Sequence, residues 1–125
     1  MQLKLSKTSI SDFIAYLFSV RNGLHLHHLK QKGNGAYAAH IALNDAYEEI
    51  LDFIDELAET AQTETLLEIN IPTTSINGEA LSYVKSVLSY VRNNRSIFPH
   101  SFQQNILDEI EALLSKTIYK LTFLK

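Results

Sequence analysis

His28, His40, Asn44, Asp55 and Glu59 hold the densest chemistry in this chain. They sit in two neighbouring stretches, HLHHLKQKGNGAYAAH and NDAYEEILDFIDELAE. Imidazole and carboxylate are the side chains that bind iron, zinc or manganese. His28 and His40 flank a Gly-Asn-Gly break at 33–35. His40 and Asn44 are one helical turn apart and share a face, and so do Asp55 and Glu59 further along.

Spacing also says that one chain cannot close such a site. From His40 to Asp55 a helix rises roughly 22 Å at about 1.5 Å per residue, a gap no ion spans. The angular offset is only about 60° at about 100° per residue. The two ligand sets therefore lie on nearly one side of one helix, at opposite ends. Two copies of that helix packed antiparallel would bring His40 of one to Asp55 and Glu59 of the other, with the axis near Glu48. A two-fold dimer of this kind carries two equivalent sites, because isologous contacts repeat.

The elements that must position these residues are helical. Ile10, Phe13, Leu17, Val20, Leu24 and His28 recur at three- and four-residue spacing and predict a first helix over about 9–32. Ser9 or Ser11 can cap its start, and Gly33-Asn34-Gly35 can end it. Leu43, Tyr47, Ile50, Leu51, Ile54, Leu57 and Ala61 form the stripe of a second helix over about 36–61. A connection follows at 62–77. Its LLEINIP stretch fits either a short strand or a helical piece, and Pro72 and Asn77-Gly78 mark loop. A third helix is predicted over about 78–94 on Leu81, Val84, Leu88 and Val91. A fourth starts near Pro99, a favoured first-turn residue, and runs to about Tyr119 on Phe102, Ile106, Ile110, Leu113 and Ile118. The expected fold is all-α, one domain over 1–125: a ferritin-like four-helix bundle with a long connection between the second and third helices.

The constellation resembles the Dps family of mini-ferritins over roughly residues 9–63. His28, Gly33, His40, Tyr47, Asp55 and Glu59 match that family's spacing. The resemblance implies an iron-binding protein that oxidises Fe(II) with peroxide or oxygen at an intersubunit site. It also implies antiparallel dimers and a hollow, dodecameric homo-oligomer. Metal ligands would be His28, His40, Asn44, Asp55 and Glu59, with iron favoured over zinc or manganese. The chain departs from the pattern at Asn44, where the family has aspartate, at Leu29, where it has tryptophan, and at Ala39, where leucine is common. An amide oxygen is a neutral, poorer ligand than a carboxylate. A second reading therefore stands beside the first: a structural helical oligomer whose site is degenerate or holds zinc.

Composition bounds the rest. The chain has 125 residues, 46% hydrophobic and 20% charged, enough for one domain with a core. Absence of cysteine removes disulfides and thiolate metal sites and fits an intracellular, cytoplasmic protein. No apolar run is long enough for a membrane span or a signal peptide. The third and fourth helices lack a Glu-x-x-His pair, which argues against the di-iron site of larger ferritin-like proteins. His25 and His27 read as surface or rim residues, and His100 as structural. A net charge of −3 and few terminal lysines (Lys4, Lys7, Lys116, Lys120, Lys125) predict weak or absent DNA binding.

Overall fold

A computed structural model of the chain describes residues 8–125, and every described element is helical. Helix α1 spans Ile10–Leu29, α2 Ala36–Thr60, α3 Ala80–Asn94 and α4 Ser101–Phe123, with a short 3₁₀ turn at Arg95–Ile97 before α4. Residues 61–79 carry neither helix nor strand. The LLEINIP stretch lies there, with Leu67 and Ile69 laid against the core.

The helices pack in a closed ring: α1 on α2, α2 on α4, α4 on α3, and α3 on α1. Each neighbouring pair runs antiparallel. Lys116 meets Glu49 and Lys120 meets Asp45 between α4 and α2. Tyr90 stacks on Tyr16, and Tyr83 lies beside His27, between α3 and α1. Phe13, Leu17, Leu24, Leu43, Ile50, Ile54, Leu57, Leu107, Ile110 and Leu114 fill the shared interior. Burial of each large apolar side chain stabilises by about 1.5–3 kcal/mol relative to exposure.

Local chemistry explains the ends. Ser9 Oγ accepts the Asp12 amide at 3.0 Å and caps α1. α1 stops at Leu29, earlier than the glycine run suggests, and 30–35 form the turn to α2. Gly35, at φ +80°, opens α2 in the left-handed region, where a side chain would be strained. His100 is the N-cap residue of α4, so Pro99 lies just before the helix rather than in its first turn, and the His100 amide donates to Gln103 Oε1 at 3.3 Å.

The sequence pattern misplaces part of α4. Phe102 is exposed, and Ile106 and Ile118 lie at the edge of the core. Gln103, Leu107, Leu114 and Thr117 face inward with Ile110 and Leu113. Ile106, Ile110 and Leu113 fit either of two overlapping stripes, and the packing on α2 and α3 selects one. Leu81 in α3 is likewise only half-buried, while Ala80 and Val87 are buried.

Candidate metal centre at the first helix hairpin

The turn at 30–35 folds α2 back along α1 and sets His28 opposite His40. Their rings stack with centroids 3.6 Å apart and planes 21° from parallel. His28 Nδ1 lies 2.7 Å from the His40 carbonyl, and His40 Nδ1 lies 2.9 Å from the His28 carbonyl. A carbonyl only accepts, so both ring nitrogens must donate. This fixes both rings as Nδ1–H and leaves the Nε2 lone pairs uncommitted. Neither Nε2 has a protein partner among the described residues, and neither is sealed from solvent. A histidine that holds a metal characteristically donates its other N–H to a carbonyl or carboxylate.

The pair also has a structural part. The His28 carbonyl lies in the last turn of α1, where intrahelical partners run out. His40 supplies the missing donor. Beside it, the His27 carbonyl accepts from the Lys30 amide at 3.1 Å and from Gln31 Nε2 at 3.0 Å. The hairpin is thus closed by side chains rather than by its glycines alone.

Tyr47 braces the pair. Its ring stacks on His25 at 4.1 Å and meets His28 edge-on at 5.3 Å, with the Arg21 guanidinium 5.5 Å from its centroid. Its hydroxyl donates to Asn44 Oδ1 at 3.0 Å. Asn44 therefore sits one turn from His40 with its oxygen already engaged.

Asp55 and Glu59 are exposed on the far half of α2, and neither forms an ion pair among the described residues. They share an acidic strip with Glu48, Asp52 and Glu56, all exposed. No three His, Asp or Glu side chains come together as a metal-binding group among the described residues. The structure thus joins His28, His40 and Asn44 at one end of the hairpin and leaves Asp55 and Glu59 apart from them.

Of the two histidines expected at the surface or rim, one departs from that reading and one fits it. His27 is buried at 2% exposure, and His25 is half-buried against Tyr47. Burial lowers the His27 pKa from 6.5, which favours its neutral ring at neutral pH. Its position was legible: His27 follows Val20 and Leu24 at helical spacing on the buried face. Beside it Tyr83 fills the space over Gly23, and burial raises that phenol to about 12. Burial likewise raises Tyr16, with Tyr83 and Tyr90 adding to it. All three phenols stay protonated in the seam between α1 and α3.

A second polar cluster, unmarked by any sequence motif, joins α3 to α4. Arg95 reaches Glu111, Asp108 at 2.7 Å and Gln104 Oε1 at 2.8 Å, and Arg92 reaches Glu111 at 3.0 Å. Glu111 is held below the ordinary carboxylate range: burial pushes it up, and the hydrogen bonds and charges of Arg95 and Arg92 outweigh that. This cluster is structural in character, since every charge in it has a partner.

Fold and hairpin together define a class: a protein of four helices with a paired-histidine clasp between the first two. The chain belongs to a family of unknown function (DUF5856), whose model matches residues 28–121. The matched stretch begins at His28 and takes in His40, Asn44, Asp55 and Glu59. No curated protein and no solved structure matches the chain. No helix among the described residues is long and apolar enough to cross a membrane.

Proposed function

We propose that the chain is a ferritin-like, Dps-like subunit that binds Fe(II) and promotes its oxidation at a site shared between two copies. The observation that carries this reading is the reciprocal clasp of His28 and His40. It commits both Nδ1 atoms as donors and leaves two Nε2 lone pairs from one chain, which suit Fe(II). Asp55 and Glu59 of a second copy would complete the site with charged oxygen.

Support for the topology comes from where the helix ends fall. Gln103, at the start of α4, donates to the Thr60 carbonyl at the end of α2 at 3.4 Å. The start of α3, at Glu79 and Ala80, shares a cavity wall with the start of α2 at Gly35 and Ala36. α2 and α3 therefore point the same way, and 61–79 must return along α2. That helix has 25 residues and is about 37 Å long at about 1.5 Å per residue. An extended chain of this length reaches well past that at about 3.3 Å per residue. One long crossover between two antiparallel hairpins is the ferritin-like connection.

Iron enters here as substrate. Two Fe(II) ions give two electrons to one peroxide, which takes up two protons and leaves as two waters. The chain's own residues orient the metal: carbonyls hold the imidazoles, Tyr47 holds His28 and Asn44, and the exposed acidic strip of α2 draws cations inward.

A structural oligomer with a zinc-occupied or degenerate site is the second reading, favoured by Asn44 Oδ1 being engaged by Tyr47. Anaerobic Fe(II) titration followed by peroxide separates the two. Saturable Fe(II) binding with oxidation faster than in buffer supports the first reading. Zinc binding without iron oxidation supports the second. Light scattering should find at least a dimer at micromolar concentration, and a monomer with and without metal would overturn the shared site.

A further inference from the structure

Tyr37, Ile41 and Leu124 wall an apolar groove of about 330 Å³ between the start of α2 and the end of α4. Tyr37 is 78% exposed, Ile41 41% and Leu124 45%, so the groove stands open. Contiguous exposed apolar surface marks a contact site. The rim of this one is basic. Lys120 lies in the wall, paired with Asp45 at 3.7 Å. Lys125 follows Leu124 and lies over Gly35, just before α2. Leu124 and Lys125 also line the neighbouring cavity, with Lys30 and Lys32. None of Lys30, Lys32 and Lys125 is paired with a carboxylate among the described residues.

The opposite end of the molecule carries the converse pattern. Leu66 is 87% exposed, the most exposed large apolar side chain among the described residues. Glu64 and Glu68 flank it, both exposed. The stretch alternates: Leu67 and Ile69 lie against the core, and Leu66 and Glu68 are left outside. The Leu67 amide donates to Gln62 Oε1 at 2.9 Å, which holds the segment just past the end of α2. Exposed Glu56 and Glu59 add negative charge there. The arginines of that end, Arg92 and Arg95, are already engaged by Glu111 and Asp108.

One chain cannot join the two patterns. The groove lies at the start of α2 and Leu66 past its end. That helix has 25 residues and is about 37 Å long at about 1.5 Å per residue. A second copy supplies the missing half. Two groove ends repel through their lysines, and two Leu66 ends repel through their glutamates. The charges therefore select groove against leucine, as complementary charge fixes register and partner.

We propose that the groove is the docking site for a second copy of this chain, which seats Leu66 between Tyr37, Ile41 and Leu124. Glu64 and Glu68 of that copy would meet Lys125 and the lysines beside it. The leucine supplies the apolar area and the charges supply the orientation. The contact needs no metal and stands apart from the iron reading. It can repeat head to tail, or form twice between two copies whose α2 helices run antiparallel. That pairing sets the end of one α2 beside the start of the other, and an isologous contact occurs in duplicate.

The chain has no cysteine, so engineered cysteines report the contact without background. Ala38→Cys, in the groove, and Thr65→Cys, beside Leu66, are mixed in equal amounts and oxidised. The expected product is a disulfide between the two variants, in excess over either variant joined to itself. Leu66→Lys added to the Thr65→Cys chain should lower its yield about tenfold or more, the loss that corresponds to one buried leucine. Ile41→Asp added to the Ala38→Cys chain should do the same. Both are surface changes, so an unaltered Tm and helical circular dichroism accompany the loss. In the double variant Ala38→Cys/Thr65→Cys, closed covalent dimers would show the reciprocal arrangement and ladders the head-to-tail one, and either upholds the docking. No disulfide between the variants overturns the proposal and leaves the groove to a partner of another chemistry. Preferential self-joining of either variant, or a yield indifferent to Leu66→Lys, overturns it as well.

Discussion

His28 and His40 each donate a ring N–H to the other's main-chain carbonyl, at 2.7 and 2.9 Å. Each ring thus secures the other helix, and each keeps its second nitrogen free. On the proposed reading the clasp would link hairpin stability to metal affinity, so a substitution there would have two separable effects.

His28→Ala and Glu59→Ala are each expected to lower Fe(II) affinity, and His100→Ala, at the α4 cap, to leave it unchanged. His40→Ala should in addition destabilise the fold by about 1–2 kcal/mol, because the α1 carbonyl loses its donor. Asn44→Asp should strengthen binding, since a charged oxygen suits a hard cation better than a neutral amide. Anaerobic titration and chemical denaturation measure the two effects separately. Equal iron binding by all the variants would dismiss the ligand assignment.

Gly23 is a packing position. A Cβ there would lie 2.0 Å from the Tyr83 hydroxyl oxygen and 2.5 Å from the ring carbon that bears it. Gly23→Ala should gain up to about 1 kcal/mol in helix propensity and lose about 1–3 kcal/mol to overpacking. The net expectation is a lower Tm. Tyr83→Leu placed in the Gly23→Ala background should recover part of the loss. A Tm for Gly23→Ala at or above that of the parent would show that Tyr83 moves aside freely.

The Arg92–Arg95–Glu111 cluster sets a pH dependence. Glu111 titrates below its ordinary 4.5 in the folded chain. As pH falls, the unfolded chain takes up the proton first, and protons then favour unfolding. The contribution is fully present above about 4.5 and is lost as pH drops through the lower folded pKa. Glu111→Gln should cost about 1.5–3 kcal/mol at neutral pH, the range for hydrogen bonds to charged groups. It should also flatten the acid limb of the stability curve. Urea titrations across that range check both, and an unchanged acid limb would place the pH sensitivity elsewhere.

Duplex DNA should not be retarded at neutral pH and physiological salt. Affinity for DNA rests on cations that neutralise phosphates. Here the net charge is −3 per chain, and α2 carries an exposed acidic strip. An oligomer multiplies that charge, and its field repels phosphates within the screening length of roughly 8 Å, where any contact with DNA would have to form. Lys4 and Lys7 lie outside the described residues, and Lys116 and Lys120 are paired with acids. Tight plasmid retardation in a gel at that salt would contradict this expectation and point to DNA protection.

The sequence by itself determined the four helices, because an apolar stripe at helical spacing is stable only when buried on one side. It also marked His28, His40, Asn44, Asp55 and Glu59 as candidate metal ligands, since ligand chemistry belongs to the side chain. Helix faces and ends were less secure. The inward face of α4 was ambiguous until α2 and α3 packed on it, and α1 ended before its glycines because Gln31 and His40 cap the carbonyls first. Only the tertiary structure decided that His28 and His40 exchange hydrogen bonds, that His27 is buried beside Tyr83, and that Arg95 meets Glu111. Those relationships join residues on different helices, and helical spacing fixes which residues share a face but not which atoms face each other across a seam.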